Sequence, residues 1–257
     1  MAIHPTAVIH PKAQIGAECE IGPYCVIGEN VKLGAGCWLH SHVVLDGLTT
    51  IGSNNRFYPH ACIGLQTQDL KWVPGNKCYL EIGDDNTFRE SVTVHTATGD
   101  GLKTIIGSQC NFLAYSHVAH DCAIGDHVIF SNCGTIAGHV TVEDYAVVGG
   151  LAAVHQFCRI GRMAIIGGCS KVVQDIPPFM MADGNPAVCR AVNKVGMERH
   201  GVSAEIREHI RQAFKALIKT DLTVRSAIEK VKADLPHSPE MDHLVAFVEK
   251  SERGISR

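Results

Sequence analysis

Aliphatic or aromatic residues recur at every sixth position from the start of the chain: Ile3, Ile9, Ile15, Ile21, Ile27, Leu33, Leu39, Leu45, Ile51, Phe57 and Ile63. The train resumes at Ile82, Phe88 and Val94. It resumes again at Ile106 and runs through Phe112, Val118, Ile124, Phe130, Ile136, Val142, Val148, Val154, Ile160 and Ile166 to Val172. Glycine often follows the anchor (Gly16, Gly22, Gly28, Gly34), and a small residue usually stands two positions before it (Ala7, Cys19, Cys25, Ala146). A period of six fits neither the 3.6 of a helix nor the simple alternation of a meander. It is the mark of a parallel β-helix, in which each hexad supplies a short strand and a turn. Three hexads then close a triangular coil, and coils stack at the strand spacing of about 4.8 Å. Residues one coil apart therefore lie above one another, large anchors inward. The period itself does not give the handedness.

Two interruptions break the pattern. Ile63 and Ile82 are 19 residues apart, one more than a full coil, and Asp69 and Gly75 between them are not anchors, so residues 65–79 should leave the prism as a loop. Between Val94 and Ile106 the phase survives, but Asp100 occupies the anchor slot, which predicts a shorter excursion near 98–104. Loops longer than a corner on a rigid solenoid are where binding groups are usually carried. The repeat ends at Pro177-Pro178, placing the prism within residues 1–189 and a helical domain within 190–257. A short helix is expected around 190–200, closed by Gly201. Ser203 then caps a helix with apolar positions Ile206, Ile210, Phe214 and Leu217; Thr223 opens a second, and Ser238-Pro239 a third.

Composition narrows the setting. The 257 residues are 46% hydrophobic and 19% charged, a globular balance, and no apolar run is long enough to span a membrane. The start, Met1-Ala2-Ile3-His4-Pro5, lacks the basic and apolar regions of a signal peptide. The 11 cysteines are odd in number and lack paired spacing, and six of them fill the small-residue slot before an anchor, so they read as free packing thiols in a reducing cytoplasm. A net charge of −3 excludes a strongly basic nucleic-acid binder. Between 190 and 232, however, ten Lys/Arg face five Asp/Glu, so the tail is the basic end of an acidic protein and suits an acidic partner.

The chemistry concentrates at His117-Val118-Ala119-His120-Asp121. Steps of one coil take His120 to Gly138 and Gln156, and Asp121 to His139. These residues should therefore form two adjacent columns on the prism surface. A histidine serves as general base near neutrality, a neighbouring carboxylate orients it, and a glycine amide can hold an oxyanion. Together they suit acyl transfer in which the base activates a substrate hydroxyl directly, without an acylated Ser or Cys.

The hexads, together with Gln68-Asp69-Leu70-Lys71, Arg89-Glu90-Ser91-Val92-Thr93-Val94-His95, His120-Asp121-Cys122, Ala137-Gly138-His139-Val140, Val154-His155-Gln156-Phe157-Cys158, Gly167-Gly168-Cys169-Ser170, Gln174-Asp175-Ile176-Pro177-Pro178 and Gly184-Asn185, give a chain that resembles the UDP-N-acetylglucosamine O-acyltransferases of lipid A biosynthesis. The resemblance implies a left-handed parallel β-helix and a homotrimer with active sites between neighbouring subunits. It implies a 3-hydroxyacyl donor on acyl carrier protein, held by that protein's phosphopantetheine so that no resident cofactor is needed. The acceptor would be the glucosamine 3-hydroxyl of UDP-N-acetylglucosamine. By the same resemblance His120 is the general base, Asp121 its partner and the Gly138 amide the oxyanion donor. Asp69, Lys71, His117, His139, His155 and Gln156 face substrate. Asn193 and Arg199 meet the nucleotide or the carrier, and Gly168 falls where acyl length is set.

Each residue has a plainer reading. Asp121 and Asp69 suit turns, Gly138 a corner, Lys71 a solvated loop, and Gly168 packing between coils. His139 and His155 could pack in an interface, and Arg199 could answer the dipole at a helix end. Among rival functions, a γ-type carbonic anhydrase uses the same prism with three zinc-binding histidines, two of them five positions apart. No two of the 15 histidines here have that spacing. A non-catalytic solenoid would need neither an interrupted prism nor a His-Asp pair. The related UDP-sugar N-acyltransferase normally carries an extra N-terminal domain, whereas here the hexads begin at Ile3; CoA-dependent sugar acyltransferases remain the other relative.

Overall fold

A computed structural model describes residues 2–257. Short strands, most of two residues, wind in three parallel walls of a triangular prism, each strand as far as Ala153–Val154 pairing with the one three places later in the chain. The first wall starts at Ala2–Ile3, the second at Val8–Ile9 and the third at Gln14–Ile15. Register follows the repeat: Ile3 lies over Ile21, Ile9 over Ile27 and Ile15 over Leu33. The anchors fill the interior. Phe57, Phe88, Phe112 and Phe130 stack in one column of fully buried rings, with centroids 5.0, 4.9 and 5.1 Å apart. Phe112→Ala, with a ring above and below, should lower the unfolding free energy by about 3–5 kcal/mol, measured by denaturant titration.

The small slot before the anchor has a second use. Cys19, Cys37, Cys110 and Cys122 each donate a thiol hydrogen bond at 3.2 Å to a carbonyl of the next coil. Burial pushes the Cys110 and Cys122 thiols up to about 12, so they remain protonated packing groups. All eleven cysteines are free.

Both interruptions fall on one edge of the prism. The first leaves between Cys62–Leu65 on the second wall and Tyr79–Ile82 on the third; the second leaves between Thr93–His95 and Lys103–Ile106, again second wall to third. Register shows why phase slipped at one and survived at the other. Phe57 pairs with Phe88, 31 residues on, and Phe88 with Phe112, 24 residues on. The second coil is thus longer than normal by one whole hexad, which puts Asp100 in an anchor slot that is not in the wall. Asp100 instead accepts the Lys77 N–H at 2.7 Å and ties the two loops together.

The prism ends differently from the expectation. Past Pro177-Pro178 one more parallel strand, Met180–Gly184, pairs on Ile165–Ile166, and an antiparallel strand, Ala187–Val192, folds back on it. The helix expected around 190–200 is therefore confined to α1, Lys194–Arg199, because residues 190–192 complete this hairpin. Then come α2 (Ala204–Ile218), α3 (Val224–Asp234) and α4 (Pro239–Glu249), whose caps Ser203, Thr223 and Ser238 each accept a backbone N–H from the first turn. The last residues return to the prism. Ile255 bridges Asp175, and the Asp175 carboxylate, 1% exposed, accepts from the Arg159 N–H and the Ser251 hydroxyl. At the other end Ile3 in the first coil is 43% exposed, whereas Ile21 below it is 2% exposed.

Candidate active site

His120 and Asp121 form the corner between His117–Val118 on the second wall and Ala123–Ile124 on the third, the same edge that carries both loops. The turn needs a left-handed residue at its second position, and Asp121 supplies it with φ 57°. That conformation turns the carboxylate toward its neighbour: His120 Nδ1 lies 2.7 Å from Asp121 Oδ2. Asp121 is anchored further by its own N–H on the Thr104 hydroxyl (2.9 Å) and by the Thr98 N–H on Oδ2 (3.1 Å). Its other oxygen, Oδ1, is buried with no hydrogen-bond partner among the described residues.

One coil below, Gly138 lies directly under the imidazole: a Cβ there would collide with the ring, both nitrogens included. The glycine is thus required by the space that His120 occupies. Its amide donates no hydrogen bond among the described residues. His139 stands beside it, edge-on to His120 at 5.2 Å and stacked at 4.6 Å on Phe157. Above the pair, the first loop brings Asp69 Oδ2 to 3.8 Å from His120 Nε2, and Asp69 in turn accepts the Lys71 N–H at 3.0 Å. That N–H is the main reason the Asp69 carboxyl is held below its ordinary range. These groups line one cleft of about 370 Å³ along with Gln68, His95, His117 and Gln156.

His117 faces the cleft from the wall. The Thr93 hydroxyl meets its Nδ1 at 2.7 Å, and His95 lies edge-on at 4.9 Å. Burial, then the nearby His95 and His120, push the His117 imidazole down to about 4; burial and His120 also lower His95. Both rings are therefore neutral at pH 7. A pKa depressed on folding gives stability that is fully present above the unfolded value, about 6.5, and lost as pH falls through the folded one. Unfolding free energy should drop by about 2–3 kcal/mol from this residue between pH 6.5 and 4. Urea titrations at pH 7 and 4.5 should show a smaller drop for His117→Asn than for the parent chain.

Not every candidate converges. His155 is exposed on the same edge, bonded at Nδ1 to the Gln156 carbonyl, and lines no part of the cleft. Arg199 borders a second cleft, of about 360 Å³, against the first wall, with the His200 ring tilted against Tyr145 at 4.2 Å and Tyr145 stacked on His127 at 4.5 Å. Asn193 adjoins it but is only 4% exposed: its amide donates to the Met163 carbonyl and accepts the Gly196 N–H, so the side chain caps α1. Gly168 lies on the corner between first and second walls, where a Cβ would meet only the Gly150 carbonyl at 3.3 Å. Of the tail cations, Arg211 is clamped by Glu208 and Arg207 donates to the Val202 carbonyl, which leaves Arg199 less engaged. The sequence reading missed Thr93, Thr98 and Thr104, since a threonine's hydroxyl and amide partners cannot be read from hexad phase. His120, Asp121 and His139 place possible metal-ligand atoms within 4.8 Å of one another, but two of the three are already bonded to each other.

Residues 175–256 match the family model described as UDP-N-acetylglucosamine O-acyltransferase, domain 2, and residues 3–132 match that of the GMPPB C-terminal domain. An acyl-[acyl-carrier-protein]–UDP-N-acetylglucosamine O-acyltransferase of Thermodesulfovibrio yellowstonii is 49% identical, with 99% of each chain covered. One from Synechocystis sp. is 44% identical over 97% of this chain and 90% of its own. Among solved structures, LpxA from Acinetobacter baumannii superimposes with a TM-score of 0.96 at 44% identity, covering all of both chains. The Arabidopsis UDP-N-acetylglucosamine acyltransferase gives 0.89 at 35%, covering 99% of this chain and 100% of the other. Fold and corner together put the protein among the hexapeptide-repeat acyltransferases, with the left-handed parallel β-helix as its prism. Likeness over the whole length narrows this further. The chain belongs to the acyl-[acyl-carrier-protein]–UDP-N-acetylglucosamine O-acyltransferase family.

Proposed function

We propose that the protein transfers a 3-hydroxyacyl group from acyl carrier protein to the glucosamine 3-hydroxyl of UDP-N-acetylglucosamine, the first step of lipid A biosynthesis. The observation that carries the mechanism is the His120–Asp121 pair at 2.7 Å beside an unengaged glycine amide. With Nδ1 bonded to Asp121, His120 takes the proton of the sugar hydroxyl at Nε2. The oxygen attacks the thioester carbonyl, and the Gly138 N–H receives the oxyanion. Collapse breaks the C–S bond, and the imidazolium returns its proton to the departing phosphopantetheine thiolate. Atoms and charge balance without an acyl-enzyme.

Asp69, Lys71, Gln156 and His139 hold the sugar in this scheme, and neutral His117 offers Nε2 as a hydrogen-bond partner. Arg199 lies against the first wall while His120 stands on the edge between second and third. A homotrimer that seats one copy's edge against the next copy's first wall would unite them, with Arg199 on the carrier or nucleotide side. Asn193 then acts through the helix it caps. Gly168, open to solvent at its corner, would leave room for the acyl tail. No helix of the described residues is long and apolar enough to cross a membrane, and the free thiols fit a reducing cytoplasm.

The test is direct. Purified protein is given UDP-N-acetylglucosamine and a panel of acyl carrier thioesters of different lengths, and product is weighed by mass spectrometry. An O-acylated UDP-sugar is expected; no product from any 3-hydroxyacyl donor would overturn the reading.

A further inference from the structure

Thr98 stands in the second loop, 8% exposed, and every polar group it has is engaged. Its N–H donates to Asp121 Oδ2 at 3.1 Å, on the oxygen that also holds His120. Its hydroxyl donates to the Thr67 hydroxyl at 3.3 Å, near the start of the first loop. Its carbonyl accepts the Cys78 thiol at 3.2 Å and the Asn76 amide at 3.4 Å, at that loop's far end. Thr67, 5% exposed, accepts in addition the Asp69 N–H at 3.0 Å. A continuous line of hydrogen bonds therefore runs from Asp69 through Thr67 and Thr98 to Asp121 and His120. Buried hydroxyls so placed are costly unless bonded, which keeps the line fixed to one geometry.

We propose that Thr98, with Thr67, is a positioning pair that sets the Asp69–Lys71 segment of the first loop in register with the His120–Asp121 dyad. The second loop is then the buttress between the sugar-binding loop and the base. It touches no reacting atom, and its effect passes through Asp69 on one side and Asp121 on the other. Misplacing a substrate-holding group by about 1 Å can cost as much as 10²-fold in rate. This inference rests on the proposed roles of His120 and of the first loop.

The experiment is a double-mutant cycle of Thr67→Val and Thr98→Val, with Thr98→Ser as the conservative variant. Valine keeps the bulk and the backbone N–H on Asp121 while removing the hydroxyl link. Thr98→Val should lower kcat/KM about 10-fold, with KM for the UDP-sugar raised and KM for the acyl carrier donor unchanged. Thr98→Ser should restore most of the loss, and the double variant should be little worse than either single one, since both cut the same link. A merely structural hydroxyl would lower Tm without dividing the two KM values. Wild-type kinetics in Thr98→Val, or fully additive losses in the cycle, would overturn the proposal. Should Thr98→Val not fold, Thr67→Val alone must still raise KM for the sugar selectively, and failure to do so overturns it equally. His120→Ala run in parallel separates the two readings. Near-normal turnover there removes the dyad role itself, while an inactive His120→Ala beside an unaffected Thr98→Val removes only the positioning role.

Discussion

His120→Ala is expected to lower kcat by about 10²–10⁴-fold, equivalent to roughly 3–5 kcal/mol of barrier, while the protein stays folded and still binds the UDP-sugar. The sugar hydroxyl is a very weak acid, so attack on a thioester requires a base as the proton leaves. The imidazole is partly exposed at a corner, outside the anchors of the prism, so truncation opens no core cavity. Asp121→Asn should be slower than the parent but less severe, because the corner and the Thr98 and Thr104 bonds can persist while the charge is lost. Steady-state kinetics with thermal melts decide the matter. A folded His120→Ala enzyme of near-normal turnover would move the search to His117 or His139.

Gly138→Ala should be almost as damaging, although alanine is the smallest possible addition. The new methyl would occupy the space of the His120 ring. Either the ring swings off Asp121 Oδ2, or the backbone shifts and takes with it the amide proposed to hold the oxyanion; both routes should cost at least about 10²-fold in kcat. Gly150→Ala is the matched control. It sits at the corresponding place on another corner, where a Cβ meets only the Asn132 carbonyl, at 3.3 Å, and the Ser131 side chain, at 3.8 Å. If the two variants lose activity alike, the cause is general softening of the coils and not the contact under His120.

The prism was legible because one physical requirement, a large apolar group inside each hexad, repeats from Ile3 to Val172. The columns were legible for the same reason: stepping by one coil from His120 lands on Gly138, which the structure sets beneath the ring. Legibility fails where the repeat stops. The hairpin of Met180–Gly184 and Ala187–Val192 follows no hexad, and the last residues of its second strand, 190–192, fall in the stretch expected to open a helix. Asn193 carries a polar side chain, but only tertiary packing reveals that the amide is spent on Met163 and Gly196. That both loops leave from the edge of His120 could have been counted in advance, since each gap follows a second-wall anchor, Ile63 or Val94.

The bare first coil and the sealed last one give the molecule a direction of failure. In a solenoid each coil is held only by its neighbours, so loss of order can spread from a free end like a zipper. At Asp175 the returning tail supplies the missing neighbour through Ile255 and Ser251 and denies the final strands an open edge on which foreign chains could pair. Ile3 has no such cover among the described residues. Fraying should therefore begin at the amino terminus, and amide exchange should slow coil by coil toward the middle of the prism, leaving the edge that carries His120 among the last parts to loosen.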